Sequence, residues 1–261
     1  MQGAEKLSVR FYSVIVVIIL VILPELISGQ DLPNGDEFTF VRLQYSSDEG
    51  DTGRYGRRFR RRRSSWAVDY PFAERNFMRG LESFTSLNVS DEPLALSLLD
   101  EEFFRYPFAY AVEVGYMALS DKEVERLREW LLRGGFLMVD DFHGQYEWLS
   151  FSEQMRKVFP NRSIVDIPIE HPIFHCFFDV NELPQIPGLG AWRSGRTYEK
   201  GGIQHHCMGI FDNEGRLMVL VMRNMDMGDA WEHTNDPRYP KWYAAQAYKL
   251  GINFVIYALT H

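Results

Sequence analysis

The stretch from Ser120 to Asp141 limits the choice of fold more than any other part of the chain. Ser120-Asp-Lys-Glu123 has the spacing of a capping box, in which the serine hydroxyl and the glutamate carboxylate satisfy free amides at a helix start. The helix it opens carries Val124, Leu127 and Leu131 on one face and stops at Gly134-Gly135. Phe136 to Val139 then runs apolar without a break. A strand with one wet face alternates polar with apolar, so an unbroken run marks a strand buried on both faces. A helix feeding such a strand belongs to an α/β layout, with a parallel sheet between helices.

The remaining segments repeat that alternation. Phe38 to Tyr45 reads as a first strand, and Pro71 to Leu87 as a helix with Phe77, Leu81 and Phe84 at i, i+4 and i+7. Leu94 to Leu99 and Phe108 to Val114 are further strands. Trp148 to Phe159 is a helix ended by Pro160, and Ile164 to Ile169 a short strand. Residues 181 to 202, rich in Gly and Pro, form an irregular surface loop. Met208 to Phe211 and Leu217 to Met222 flank the turn Asp212-Asn-Glu-Gly215, and Lys241 to Leu259 is a closing helix. Neither a linker nor a repeat divides the chain, so residues 30–261 are read as one α/β domain with a doubly wound, mainly parallel sheet. A hydrophobic content of 46% with 15% aromatics excludes a disordered chain, and two cysteines exclude a disulfide-stapled scaffold.

The first 29 residues read as a signal peptide. Lys6 and Arg10 precede an apolar run from Phe11 to Leu23, too short for the roughly 20 residues that a membrane span needs. Ile27-Ser28-Gly29 supplies small residues for cleavage before Gln30, with an uncleaved anchor as the alternative. The expected location is therefore the periplasm or cell envelope. The net charge of −8 conceals seven arginines between Arg54 and Arg63, inside a loop spanning 50–65. An acidic chain is a poor nucleic-acid binder, so none is expected as a partner. The cluster Arg57 to Arg63 suits an envelope protein or an anionic surface, or is simply a solvated loop.

In a doubly wound sheet, ligands bind beyond the carboxyl ends of the strands. That rule selects Asp140, Asp141 and His143 after the buried strand, as a general acid/base set or as ligands for a hard divalent metal, the bland alternative being that the two aspartates merely satisfy loop amides. It also selects Arg223, Asp226, Asp229, Trp231, Glu232 and His233, where Trp231 offers a stacking face for a sugar and the acids offer hydrogen bonds. The bland alternative is a loop whose acids pair with Arg238 and Lys241. His171 and His175, at i and i+4, resemble a helical metal pair without the glutamate of a metalloprotease. With Cys176 and Cys207 they form one candidate zinc set; a disulfide or two free thiols are the other states. No Gly-x-Ser-x-Gly elbow, Walker loop or dinucleotide fingerprint occurs.

Trp66-Ala-Val-Asp-Tyr-Pro71 with Asn76-Phe77, Val139-Asp-Asp-Phe-His-Gly144, His171-Pro-Ile-Phe-His175, Gly228-Asp-Ala-Trp-Glu232 and the closing segment Leu250 to His261 together resemble the bacterial family catalogued as domain of unknown function 4159. The resemblance covers residues 37 to 261. It implies a flavodoxin-like sandwich akin to class I glutamine amidotransferase-like and trehalose-utilisation-like domains, and it implies no assigned activity. Where an amidotransferase presents its cysteine, this chain has Asp140, Asp141 and His143, so thiolate glutaminase chemistry is excluded. Beside an assembly role in which the arginine loop docks an anionic partner or lipid, two functions are then expected to compete. One is an exported module binding a small molecule or carbohydrate. The other is a hydrolase of carbohydrate-type substrates, working through a divalent cation or through acid/base catalysis.

Overall fold

The computed structural model describes residues 37–47 and 64–261. The expected signal peptide and the cluster Arg57 to Arg63 lie outside the described residues. Among these residues the elements are β1 (Glu37–Phe38), β2 (Val41–Gln44), α1 (Phe72–Phe84), β3 (Asn88–Val89), β4 (Leu94–Ser97), β5 (Phe108–Val112), α2 (Asp121–Leu132), β6 (Phe136–Asp140), α3 (Gly144–Val158), β7 (Val165–Asp166), α4 (Leu189–Arg193), β8 (His206–Phe211), β9 (Leu217–Arg223), α5 (Met227–Glu232) and α6 (Lys241–Thr260). A seven-stranded sheet has the order β4-β2-β5-β6-β9-β8-β7. The strands from β4 to β9 are parallel, and β8 and β7 add an antiparallel edge. No helix among the described residues is long and apolar enough to cross a membrane.

Alternation along the strands divides the core in two. Phe108, Tyr110 and Val112 of β5 pack with α1, α5 and α6, through Phe77, Trp231 and Phe254 among others. Ala109 and Ala111 face the opposite way, toward Leu127 and Trp130 of α2 and Phe151 of α3. The sheet therefore has helices on both faces, as the unbroken run at Phe136 predicts. The capping box at Ser120 forms as expected: its hydroxyl takes the Glu123 amide while the glutamate returns to the Ser120 amide at 2.8 Å.

Three expectations are corrected. The strand expected over Phe38 to Tyr45 is broken. Phe38 and Phe40 face one half of the core and Val41 and Leu43 the other, a one-residue slip of phase that a continuous strand cannot accommodate. β1 consequently pairs with β3 in a separate two-stranded sheet. The strand expected over Ile164 to Ile169 shrinks to two residues at the edge, because Pro168 offers no amide. The helix expected from Trp148 begins at Gly144, where the Glu147 carboxylate accepts the His143 amide at 2.6 Å.

Candidate functional site

The carboxyl ends of the parallel strands gather most of the acids singled out in the sequence. Asp140, the last residue of β6, is fully buried. Its Oδ2 accepts from the Tyr110 hydroxyl at 2.9 Å and from the amides of Met227 at 2.7 Å and Gly228 at 3.3 Å. It thereby ties β5 and β6 to the start of α5. Burial outweighs these donors and pushes its carboxyl up to about 7. Its Oδ1 has no hydrogen-bond partner.

Asp141 follows with a left-handed backbone, φ 50°. One carboxylate oxygen each from Asp69, Asp141 and Asp226 lies within 4.8 Å of the others. Asp69 comes from the connection before α1, Asp141 follows β6, and Asp226 follows β9 and caps α5 by accepting the Asp229 amide at 2.8 Å. Burial holds all three carboxyls well above the ordinary carboxylate range, and repulsion from neighbouring acids adds to it. Asp69 Oδ2 is buried without a partner. Among the described residues the nearby cations are engaged elsewhere. Arg42 is bonded to Glu74 and to the carbonyls of Trp66 and Val68, and Lys200 to Glu147 at 2.7 Å and Glu113 at 3.4 Å.

Backbone strain concentrates here as well. Within the described chain, the non-glycine residues with left-handed backbone are Asp69, Glu113, Asp141, Lys200 and Asn224. Asp69, Asp141 and Asn224 follow carboxyl ends or face them, and Lys200 bonds to Glu113 across the same edge. Such backbone costs on the order of 1 kcal/mol per residue and persists where the surroundings over-determine it, which is common at functional sites.

His143 places Nε2 3.2 Å from Asp141 Oδ1 and is almost fully buried. Burial lowers its pKa to about 3, helped by the Lys200 charge, so the imidazole is neutral at pH 7. Its Nδ1 has no partner. Residues 183–204, most of which fall in the surface loop expected over 181–202, lie over this edge. Leu189 donates its amide to Asp229 Oδ2 at 2.6 Å, and Asp226 donates its amide to the Ile186 carbonyl at 3.0 Å. At Gly188 a methyl group would meet Asp226 Oδ2 at 2.5 Å, Glu199 Oε1 at 2.9 Å and Asp229 Oδ2 at 3.1 Å. Only glycine lets the cover approach the acids so closely.

The other expected site residues divide. Asp229, Glu232 and His233 form a second, half-buried set, with His233 Nε2 3.2 Å from Asp229 Oδ1 and 3.5 Å from Glu232 Oε2. Trp231 is 0% exposed and packs on Phe77 with ring centroids 4.5 Å apart. It therefore offers a sugar no face to stack on, which corrects the expectation: α5 is a helix, and Trp231 occupies its inner side. Arg223 turns to Gln145 at 3.2 Å and to the Trp148 ring, not to the acids. His171 and His175 flank a single 3-10 turn. His171 accepts the Ile173 amide at 3.2 Å, while His175 binds the Ile169 carbonyl at 2.7 Å and Asp179, so the two do not converge on one point. The thiols are free. Cys207 is buried, and Cys176 donates to the Asn253 carbonyl at 3.2 Å. Among the described residues the sets able to hold a metal are the two acid-rich ones, and neither includes a cysteine.

Asp69 was not expected in a site. Its only sequence mark is its place in the Trp66 to Pro71 motif, and nothing local separates it from a surface aspartate. Comparison with curated proteins finds none that matches. The model of the family described as Domain of unknown function (DUF4159) matches residues 39–259, and the chain belongs to that family.

Proposed function

We propose that this protein is an exported cell-envelope domain that binds a divalent cation at Asp69, Asp141 and Asp226, and through it an oxygen-rich small-molecule ligand. The observation that carries this reading is the convergence of three carboxylates, two buried and one half-buried, from three chain segments, with no unengaged cation beside them among the described residues. Such a set is costly as bare charges and is either protonated or neutralised by an ion. All three donors are hard oxygens, the kind preferred by calcium, magnesium and manganese, and the unpartnered Asp69 Oδ2 supplies an open valence. A bound cation would polarise or anchor a ligand oxygen there. Asp140 acts as a positioning residue, holding the start of α5 and with it Asp226.

The finer fold reading is part of the proposal. The five parallel strands, numbered by their sequence order, lie 2-1-3-4-5 across the sheet, an order that supports a flavodoxin-like, amidotransferase-like arrangement without the nucleophilic cysteine. The apolar run behind Lys6 and Arg10 supports export.

Hydrolysis is the second reading, favoured by one observation: the His143 imidazole is held 3.2 Å from Asp141 at the same strand end. The test is calorimetric titration of chelator-treated protein with Mn²⁺ and Ca²⁺. One ion per chain is expected, weakened at least tenfold in Asp141→Asn and Asp226→Asn and unchanged in His171→Ala. No binding at millimolar metal would end the cation reading. Turnover of ester or glycoside substrates by the loaded protein, lost in His143→Gln, would move the assignment to the hydrolase.

A further inference from the structure

A cavity of about 610 Å³ opens between α1 and α6, and none of the acids of the candidate site lines it. Its volume falls in the range of roughly 300–1,000 Å³ typical of small-molecule sites. The charged residues lining it are Arg79, Lys241 and Lys249, and no aspartate or glutamate joins them. That is unusual on a chain of net charge −8. Among the described residues none of the three makes an ion pair, whereas Arg75 on the same helix is paired with Glu92 at 2.7 Å. The walls are mixed, with Asn76, Ser83, Thr234 and Asn235 polar and the rest largely apolar. Phe84, 58% exposed, meets Phe178 edge-on at 5.9 Å, and Ile252 and the Tyr248 ring continue the surface.

The apolar and basic positions follow helical spacing. Lys241, Ala245, Lys249 and Ile252 form one stripe of α6, facing Arg79 and Ser83 on α1. The two outer cations of α6 are eight residues apart, about 12 Å along the helix. Tyr248 shapes the floor: it lies against Gly80, where a methyl group would be 2.3 Å from its ring, and its hydroxyl donates to the Asn76 carbonyl at 3.0 Å. Among the described residues the cleft therefore presents apolar surface beside positive charge that makes no ion pair, and no acid lines it.

We infer that this cavity binds a long-chain carboxylate, its tail along Phe84, Phe178 and Ile252 and its head on the basic residues. Apolar area drives the binding, and the cations select the sign of the head group. The site is separate from the acid centre and does not depend on its reading.

The test is calorimetric titration of the purified protein with sodium dodecanoate below its micelle concentration, with acetate and dodecyltrimethylammonium as comparison ligands. Dodecanoate should bind once per chain and weaken as salt rises, and acetate and the cationic amphiphile should not bind. Arg79→Gln with Lys249→Gln should weaken dodecanoate at least tenfold. Ala245→Trp, at an exposed lining position, should abolish binding without lowering the melting temperature, and Asp141→Asn should leave it unchanged. Failure of dodecanoate to bind would overturn the inference. So would equal binding of the cationic amphiphile, indifference to the charge variants, or binding only of an acidic helical peptide.

Discussion

Asp140→Asn separates the charge of the acid centre from its shape. In the fold the Asp140 carboxyl is displaced from the ordinary 3.8 to about 7, mainly by burial. Between those values the native state holds a proton that the unfolded chain has released. Stability is therefore full below pH 4 and falls as pH rises toward 7. At about 1.4 kcal/mol per pH unit, the penalty carried by this one group above pH 7 is about 4 kcal/mol. Asparagine keeps an oxygen for Tyr110, Met227 and Gly228 but puts an amide N–H₂ where Oδ1 has no partner, costing about 1–3 kcal/mol at every pH. The variant should be less stable than wild type at pH 4 and more stable at pH 8, the difference between the two changing by about 4 kcal/mol. His143 slopes the other way, since a pKa lowered to about 3 adds stability as pH rises from 3 to 6.5. The wild-type curve is thus flattened, and only the difference between variants exposes Asp140. Urea unfolding followed by tryptophan fluorescence, with chelator present, measures it. An equal difference at pH 4 and pH 8 would refute the assignment of a penalised buried charge.

Gly188→Ala places a methyl group 2.5 Å from Asp226 Oδ2, on backbone that alanine adopts freely, so cation affinity should fall at least tenfold while the melting temperature moves little; unchanged affinity in the calorimeter would remove Gly188 from the centre. Arg42→Leu strips the buried Glu74 of its partner and should cost about 3–5 kcal/mol in urea unfolding, and a loss below 1 kcal/mol would contradict the buried pair. Thiol titration of native Cys176→Ser should show no reaction, because burial raises the Cys207 thiol; prompt labelling would place Cys207 at the surface.

Much of this architecture is legible in the residues themselves. The run Phe136 to Val139 announces a strand buried on both faces, and an acid pair at its end marks either a site or carboxylates that tie down loop amides, which Asp140 does. Asp140 and Asp141 are visible for that reason. Asp226 was legible through the same carboxyl-end rule. What escapes is whatever depends on direction. Read as a loop, residues 226–233 put every side chain at the surface, but the helix sorts them, with Met227, Ala230 and Trp231 inward and Asp229, Glu232 and His233 outward. The phase slip at Phe40 and Val41 hides in a segment whose residues are all good strand formers. Asp69 is beyond reach because its partners follow β6 and β9, and no local pattern encodes those distances.

The three acids of the proposed cation site belong to stretches before α1, after β6 and after β9. No fragment, and no intermediate in which any one of these stretches is undocked, contains all three. An ion that binds only when all three are in place acts as a checkpoint on folding, because it rewards the finished tertiary structure and nothing short of it. At a hundred times its dissociation constant such an ion adds about 2.7 kcal/mol to the native state. The same arithmetic applied to withdrawal makes a chelator a protease sensitiser: stripping the ion should raise cleavage within residues 183–204 first, since that cover is anchored to Asp226 and Asp229.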